Sequence, residues 1–328
     1  MNTQREQRRA IPRLADVPGL EAELDVGDLH GEPMVRPSQG ARIVNLVAIL
    51  LPLVGLIAGI AWLWGFGASW LYIALLGIGY ALTAVGITVG YHRLFTHKSF
   101  DTNPVVKVVL AILGSMAAQG SVISWAAWHR KHHRHSDRDD DPHSPNTQGL
   151  GLVALFKGMV HAHCGWLLRA SPRDLVKYVP DLHSDRLIRW MSRLFPLWVL
   201  LGLLIPGAIA LAITGSWTGG FLGILWGGLA RVFFVHHVTW SVNSVCHLWG
   251  TRPFASHDHS RNNPIVGILA LGEGWHNNHH AFPASARHGL RWWEIDFSYL
   301  IIRSLVACGL ARNMRVPCPE RVAAKRRR

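Results

Sequence analysis

Residues 43–92 read IVNLVAILLPLVGLIAGIAWLWGFGASWLYIALLGIGYALTAVGITVGYH and contain no Asp, Glu, Lys or Arg. A second stretch, residues 194–230, is likewise free of these four residue types. A helix needs about 20 apolar residues to cross the hydrocarbon of a bilayer, so each stretch is too long for one span and fits two. Glycine-containing breaks lie at residues 65–69 and 214–220. The pattern predicts two helical hairpins, with spans near residues 43–64, 70–91, 194–213 and 221–238.

The composition agrees with a membrane protein. Of the 328 residues, 49% are hydrophobic and only 16% are charged, and the mean hydropathy is +0.18. Globular chains usually carry about 25% charged residues. These values exclude a disordered chain, a coiled coil and a disulfide scaffold. The four cysteines form no CxxC pair, which argues against a zinc ribbon or a redox motif and favours a reducing compartment; they are Cys164, Cys246, Cys308 and Cys318.

The net charge is +13, and all 33 Lys and Arg lie outside the two charge-free stretches, so neither hairpin turn carries a charge. The positive-inside rule therefore places both termini and the middle segment in the cytoplasm of an integral, multi-pass membrane protein. A third apolar stretch, residues 104–128, contains Lys107 and Gln119. As a fifth span it would put the two halves of the chain on opposite sides of the membrane. We therefore predict an interfacial or re-entrant helix there.

The chain divides into three parts. Residues 1–42 start basic and then turn acidic without an apolar core, so we expect a flexible N-terminal tail and no signal peptide. Residues 43–316 are the predicted membrane domain. Residues 317–328 are a basic C-terminal tail, either solvated or attracted to anionic lipid or to an acidic partner.

Histidines are concentrated beside the predicted spans. Three clusters read HRLFTH at residues 92–97, HRKHH at 129–133 and HNNHH at 276–280, and Asn243 and His247 follow the fourth span. Helical residues at i, i+3 and i+4 share a face, so the rings of each of the last two clusters should converge. Nine imidazoles are too many for one tetrahedral zinc and suit two transition metals. Imidazole binds Fe, Zn, Cu and Ni alike, so these residues do not name the metal.

The remaining histidines carry a simpler expectation. A lone His at a membrane surface is usually solvated or hydrogen-bonded, and we expect this of His135, His143, His161, His163, His183, His236, His237, His257, His259 and His288. Haem is disfavoured because bis-His haem in a membrane needs His inside the spans, and the apolar stretch contains none before His92.

These motifs, with NSVCHLWG before the last box and DPH after the second, resemble the membrane fatty-acid desaturases of the stearoyl-CoA Δ9 type. The resemblance covers residues 43–316 and includes Trp125 and the GEG preceding the third box. Alkane hydroxylases, another His-rich group, differ around their boxes. The resemblance implies an all-helical integral membrane fold of four spans, with a cytosolic helical cap that holds a His-rich dimetal site.

The resemblance also implies a diiron centre. Its ligands would be His92, His97, His129, His132, His133, His247, His276, His279 and His280, with Asn243 acting through water. Such enzymes use O2 and two electrons to remove one hydrogen from each of two adjacent methylenes, which leaves a cis double bond and two waters. Neighbouring acids are candidates to orient the rings; they are Asp137, Asp139, Asp140, Asp141, Glu273 and Asp296.

A long acyl chain needs a tunnel that selects the carbon by depth. Ala84 and Tyr80 precede His92 by eight and twelve residues, roughly 12 and 18 Å along an ideal helix. By resemblance they would close a tunnel for C16–C18 chains, and the alternative is ordinary helix packing. The resemblance also places four residues at the bend of the tunnel: Gln119, Trp125, Thr239 and Trp240.

The residues that would bind the substrate headgroup depart from the pattern of the family that the chain resembles. Animal relatives have an Arg-rich stretch after DPH that grips the phosphates of CoA, and here only Arg169, Arg173 and Lys177 are close to that region. The substrate is therefore expected to be a fatty acyl-CoA or an acyl-lipid within the membrane. We expect electrons from a separate ferredoxin or flavin reductase, to which the basic surface is suited. No nucleic acid is expected.

Two other functions fit the histidines alone. A hydroxylase or ketolase acting on an alkane, sterol or carotenoid would keep the metals and yield an oxygenated product. A non-enzymatic metal sensor or carrier would bind metal without consuming O2. Transport sites lie within the spans near the midplane, whereas these histidines lie outside them.

Overall fold

The computed structural model of the chain describes residues 34–66, 69–169, 171–172 and 174–327. Its helices are α1 (Gln39–Phe66), α2 (Trp70–Val85), α3 (Pro104–Met116), α4 (Val122–His135), α5 (Leu152–His163), α6 (Pro180–Ser184), α7 (Arg186–Arg193), α8 (Phe195–Thr214), α9 (Trp217–Gly223), α10 (Arg231–Leu248), α11 (Pro264–Leu269), α12 (His276–Ala281), α13 (Phe297–Ala307) and α14 (Pro319–Lys325). Two π-helical segments, Gly86–Thr96 and Ile224–Ala230, continue α2 and join α9 to α10. Single 3-10 turns lie at Gly165–Leu168 and Val176–Tyr178.

Four two-residue strands form two antiparallel pairs. One pair joins β1 (Met34–Val35) to β3 (Ser171–Pro172), and the other joins β2 (Asp101–Thr102) to β4 (Ala311–Arg312). The first pair places the residues just before α1 beside the middle segment of the chain.

The four predicted spans are confirmed. The helices long and apolar enough to cross a membrane are Gln39–Trp62, Trp70–Thr96, Phe195–Thr214 and Trp217–Leu248. The second and the fourth run beyond the predicted ends, and these extensions carry the first His box and His247. The third apolar stretch is interrupted: α3 has 13 residues, fewer than the about 20 that a span requires, and a turn separates it from α4.

Four side chains accept hydrogen bonds from backbone N–H groups at helix N-termini and so set where α3, α4, α11 and α13 begin. Asn103 and Asn263 each accept a hydrogen bond from the backbone N–H three residues later, and each is followed by a proline at the first helical position. Ser121 caps α4 in the same way, and Asp296 caps α13. These residues satisfy N–H groups that have no partner within the helix, and proline supplies none there.

The tails differ from the expectation where the structure describes them. Residues 1–33 of the predicted N-terminal tail lie outside the described residues, but β1 and the first turn of α1 fall within residues 34–42. The predicted basic C-terminal tail contains α14, and its backbone pairs with an earlier loop: Ala255 N–H donates to the Lys325 carbonyl and Arg327 N–H to the Pro253 carbonyl. Backbone pairing leaves no mark in composition, so charge counting could not reveal it.

Candidate metal centre

Nine histidines from distant parts of the chain meet in two adjacent groups. The five-histidine cluster consists of His92, His97, His129, His133 and His279, and the four-histidine cluster of His132, His247, His276 and His280. Within each group the candidate ligand nitrogens all lie within 4.8 Å of one another. The structure therefore brings together every histidine that the resemblance nominated, and it divides them into two sets.

The first box owes its geometry to a π-helix. His92 and His97 are five residues apart, a spacing that an α-helix would not place on one face. In the π-helical segment Gly86–Thr96, hydrogen bonds join residues five apart, and His97 N–H donates to the His92 carbonyl at 3.1 Å. The two rings consequently lie 4.8 Å apart, centroid to centroid.

The second and third boxes each serve both clusters. On α4, His129 and His133 enter the five-histidine cluster, while His132 enters the other. On α12, His279 joins the first set, whereas His276 and His280 join the second. The i and i+4 rings of each box thus meet in one cluster as predicted, whereas the i+3 ring of each box enters the other cluster, so the boundary between the clusters runs along both helices.

Two close backbone approaches hold these elements in place. A Cβ atom on Gly86 would lie 2.1 Å from the Gly114 nitrogen, so α3 packs directly against the start of the π-helical segment. A Cβ atom on Gly274 would lie 2.1 Å from the Gly267 nitrogen, just before the third box. A larger residue at either glycine would displace the histidines that follow.

Carboxylates fix the ring orientation in the four-histidine cluster. The Nδ1 atoms face Asp141 from His132 at 3.0 Å, Asp137 from His247 at 2.9 Å and Asp258 from His280 at 2.5 Å. A ring that donates from Nδ1 to a carboxylate presents a lone pair on Nε2. Two such Nε2 atoms, of His247 and His280, lie 3.0 and 3.1 Å from the Nε2 atom of His276. Converging lone pairs at these distances suit a shared cation.

The five-histidine cluster has a different acid. Glu273 lies 2.5 Å from the Nδ1 atom of His92 and also binds the guanidinium of Arg93. Arg93 is fully buried and binds Asp296 at 3.0 Å as well. Asp296 therefore acts through Arg93 and also through the backbone N–H of His288, which donates to it at 2.6 Å. Asp139 is exposed, and within the described chain neither it nor Asp140 has a hydrogen bond to a histidine.

Two of the histidines expected at the surface are instead buried beside the clusters. His288 is 1% exposed, with its Nδ1 atom 3.5 Å from Glu273 and its ring centroid 4.5 Å from that of His279. His143 packs on His132 with 4.4 Å between ring centroids. Both follow their boxes in irregular segments, where no helical spacing could signal their approach. Asp258, another partner that the sequence did not reveal, lies in a similar loop.

The electrostatics favour the neutral form of six of the nine rings. Burial holds the pKa values of His97, His129, His133, His276 and His279 well below the usual range, and neighbouring rings lower them further. Burial lowers the pKa of His280 to about 4 although Asp258 opposes the shift. Burial alone would raise the pKa of the Asp141 carboxyl, but His132 brings it to about 2. Deprotonated imidazole is the form that binds metal.

The residues present fit a pair of metal ions. The Nε2 atoms of His97 and His132 are buried and have no hydrogen-bond partner in the described part of the chain. An unpaired buried nitrogen is costly unless something binds it. Nine nitrogens exceed the four ligands of one tetrahedral site and are compatible with two transition metals.

An apolar cavity opens onto both clusters. Its walls include five predicted residues, Tyr80, Ala84, Trp125, Thr239 and Asn243, together with Ile87, Thr88, Val235, Val238, Val242, Ala270 and Glu273. It ends at His92 and His129 of one cluster and His276 of the other.

Other predicted substrate residues lie around or away from this cavity. Gln119 stands behind the wall and donates to Thr239 at 3.0 Å, while Trp125 stacks on His129 at 5.0 Å. Trp240 does not line the cavity but packs on His236 with 4.8 Å between ring centroids. Arg169 is exposed, and Arg173 lies outside the described residues.

Comparison with known proteins places the chain in a family. Residues 68–307 match the model of the fatty acid desaturase family. A hex-5-enoyl-[acyl-carrier protein] acetylenase of Moorena producens is 44% identical over 84% of this chain and 87% of its own length. An sn-1 stearoyl-lipid 9-desaturase of Synechocystis is 37% identical over 79% and 76%, and an icosanoyl-CoA 5-desaturase of Limnanthes douglasii is 38% identical over 86% and 75%. Four membrane-crossing helices, two histidine clusters and these relatives together show that the chain belongs to the fatty acid desaturase family of oxidoreductases, which act on acyl chains.

Proposed function

We propose that the protein is an O2-dependent desaturase that introduces a cis double bond at Δ9 into a C16–C18 acyl chain carried on CoA or lipid. One turnover removes two hydrogens from adjacent methylenes and consumes O2, two electrons and two protons, and it releases two waters. The observation that carries the proposal is the apolar cavity that ends between the two histidine clusters.

The chain's own residues perform three tasks in this proposal. The apolar wall holds the acyl chain and excludes water. Asp137, Asp141 and Asp258 fix their rings so that each Nε2 lone pair faces the cluster centre. Burial lowers the pKa of six of the nine rings and so keeps those six neutral. Two iron ions held by the nine histidines, with Asn243 as a ligand through water, would supply the oxidising power that an unactivated C–H bond demands.

The proposed chain length rests on Tyr80 and Ala84. Tyr80 lines the cavity, and its hydroxyl donates to the Leu269 carbonyl at 2.6 Å, which fixes the ring in the cavity wall. Ala84 is 6% exposed and leaves room beside it. Because the segment from Gly86 to His92 is π-helical, with wider turns and a smaller rise, the distances expected for an ideal α-helix are upper values.

The carrier and the product class need a direct test. The named relatives act on acyl groups attached to acyl-carrier protein, lipid and CoA respectively. A second candidate is an acetylenase reaction, which would convert an existing double bond to a triple bond, and the 44% identity to the Moorena enzyme favours including it. In either case we propose a separate ferredoxin or flavin reductase as the electron donor.

We further propose that both termini and the histidine clusters face the cytoplasm. Four crossings return the chain to its starting side, and the basic segments lie outside the hairpins. Contacts support an even number of crossings: β1 pairs with β3, and the Asn45 side chain, early in α1, donates to the Leu167 carbonyl at 2.6 Å.

The test is the fatty-acid profile of a desaturase-deficient bacterial host that expresses the chain. His129→Ala/His276→Ala removes one ring from each cluster, and His183→Ala, at an exposed histidine, is the matched control. We expect new Δ9 monounsaturated C16 or C18 chains with wild type and control but not with the double variant. A short pulse of labelled stearate, followed by separate analysis of CoA, acyl-carrier-protein and lipid pools, identifies the carrier.

Three outcomes contradict the proposal. A triple bond indicates the acetylenase reaction, and an oxygenated product indicates a hydroxylase. No product from metal-loaded protein in cells that supply electrons would exclude desaturation of these chains.

A further inference from the structure

The loop between α10 and α11, residues 249–263, is hydrogen-bonded to the four-histidine cluster and to one of the carboxylates beside it. Its Asp258 carboxylate holds His280 at 2.5 Å. The backbone N–H of His259 donates to Asp137 at 2.7 Å, and Asp137 in turn holds His247 at 2.9 Å. Two of the four rings, those of His280 and His247, are therefore connected to this loop by hydrogen bonds. Each connection passes through one carboxylate, that of Asp258 for His280 and that of Asp137 for His247.

The C-terminal segment is fastened to the same loop. A bridge pairs Phe254 with Arg326, and the neighbouring backbone hydrogen bonds join Ala255 to Lys325 and Pro253 to Arg327. Beneath them, Phe254 packs with Phe282, two residues after His280, at 5.4 Å between ring centroids. Lys325, Arg326 and Arg327 are thus held beside the third box, where the Lys325 side chain also donates to the Ala281 carbonyl at 2.7 Å.

This arrangement gathers positive charge at the surface. We call the arginine face the set Arg252, Arg261, Arg326 and Arg327. Arg326 and Arg327 are exposed, and the charges of Arg327 and Arg261 both lower the pKa of Arg252 beyond the effect of burial, as expected for like charges in proximity. The loop's acid, Asp258, is 3% exposed and is directed inward to His280.

We infer that the arginine face is the docking surface for an acidic electron-transfer protein. The inference rests on the proposed function, since desaturation requires two electrons from outside the chain. Complementary charge speeds the encounter of such partners. A carrier bound to this face would contact Arg252, whose side chain donates to the backbone carbonyl of Asp258. The carboxylate of the same Asp258 is hydrogen-bonded to His280, so only this residue would separate Arg252 from a candidate metal ligand.

Substrate phosphates are a less suitable occupant of this face. None of the four arginines is among the residues that line the acyl cavity. Anionic lipid is the remaining competitor, but lipid binding gives no reason for the hydrogen-bonded connection between this loop and two candidate metal ligands.

The test measures binding of an acidic [2Fe–2S] ferredoxin to the full-length chain in phosphatidylcholine nanodiscs by surface plasmon resonance. The variant Arg326→Glu/Arg327→Glu reverses charge at the face. Its matched control, Arg186→Glu/Arg312→Glu, makes the same charge change at two exposed arginines elsewhere. We expect the association rate of the first variant to fall by about tenfold or more and to lose its salt dependence, with the control within about twofold of wild type.

Unchanged binding in the face variant, or equal weakening in both variants, overturns the inference. It is also overturned if phosphatidylglycerol in the nanodiscs, and not ferredoxin, protects Arg326 and Arg327 from phenylglyoxal. Equal thermal midpoints verify that the variants are folded. Binding needs no turnover, so a failure of the docking inference is distinguishable from a failure of the proposed function. If the wild type makes unsaturated chains but ferredoxin does not bind at the arginine face, only the docking inference is wrong.

Discussion

Replacement of Arg231 by methionine tests how the spans are joined. Arg231 lies inside the fourth span and is 1% exposed. Its guanidinium donates to the carbonyls of Gly227 at 3.2 Å, Gly202 at 2.8 Å and Met116. The Met116 carbonyl is at the end of α3, and that of Gly202 lacks its helical partner because Pro206, four residues on, has no N–H. A charge in a membrane is expensive and calls for such partners.

The magnitude follows from two of the three carbonyls, because Gly227 lies inside a continuous helix, whereas Met116 ends α3 and Gly202 precedes Pro206 by four residues. A buried carbonyl left without a partner costs about 1–3 kcal/mol, so Arg231→Met exposes these two groups to a loss of about 2–6 kcal/mol. Methionine also removes the cost of burying the guanidinium cation, which offsets several kcal/mol of this loss of stability. That offset is the same in any background and cancels in a double-mutant cycle. Pro206→Ala restores an N–H for the Gly202 carbonyl, so Arg231→Met should cost about 1–2 kcal/mol less when it is combined with Pro206→Ala.

The assay measures the unfolding of six proteins, namely wild type, Pro206→Ala and Pro52→Ala, each with and without Arg231→Met. Unfolding is induced in mixed micelles with a rising fraction of SDS and followed by tryptophan fluorescence. Pro52→Ala is the control, because Pro52 interrupts α1 in the same way while Arg231 makes no hydrogen bond to α1 among the described residues. Coupling with Pro206 and none with Pro52 supports the reasoning. An equal cost of Arg231→Met in all three backgrounds, within about 0.5 kcal/mol, refutes it.

Three further predictions concern the site. Ala84→Phe should shift the products toward shorter chains by filling the cavity, whereas Ala81→Phe on the exposed face of α2 should not; an unchanged product profile would exclude Ala84 as a depth determinant. Asp258→Asn should weaken metal retention about 10–100-fold because it releases His280, while the exposed Asp139→Asn should not, as measured by metal content after a chelator challenge. Acidifying the metal-free chain from pH 6.5 toward 4 should lower its free energy of unfolding by up to about 1.4 kcal/mol per pH unit for each of the five histidines whose pKa burial holds well below the usual range, because the unfolded chain binds protons that these folded rings do not; a flat profile contradicts this.

The membrane spans and the shared helix faces of the histidines could be predicted from the sequence. The absence of charge over residues 43–92 and 194–230 marks the spans because the bilayer penalises charge wherever it falls. Spacing at i and i+4 put two rings of the second box together, and two of the third, because both boxes are helical. These inferences depend on local chemistry that each segment carries by itself.

The parts that depend on tertiary packing were not predictable. The i, i+5 spacing of His92 and His97 becomes meaningful only through a π-helix, which no local propensity specified. His288 and Asp258 reach the clusters from irregular loops. Trp240 has the residue type expected of a tunnel wall, yet it packs on His236 because its helix presents another face to the cavity. The pairing of the C-terminal segment uses backbone groups that every sequence has.

The two histidine clusters differ in the number of carboxylates that surround them. This difference corresponds to where each cluster lies relative to the cavity and to the arginine face. Three carboxylates face the rings of the four-histidine cluster, those of Asp137, Asp141 and Asp258. The five-histidine cluster has Glu273, whose charge is shared with Arg93. Positive charge bound by the five rings is therefore less compensated than charge bound by the four. The five-histidine cluster also supplies two of the three rings that end the acyl cavity, His92 and His129. In the proposed reaction, a metal ion bound by the five-histidine cluster would be the more electrophilic of the two and would lie beside the cavity for the acyl chain, whereas the better compensated position would be the one hydrogen-bonded to the loop of the arginine face.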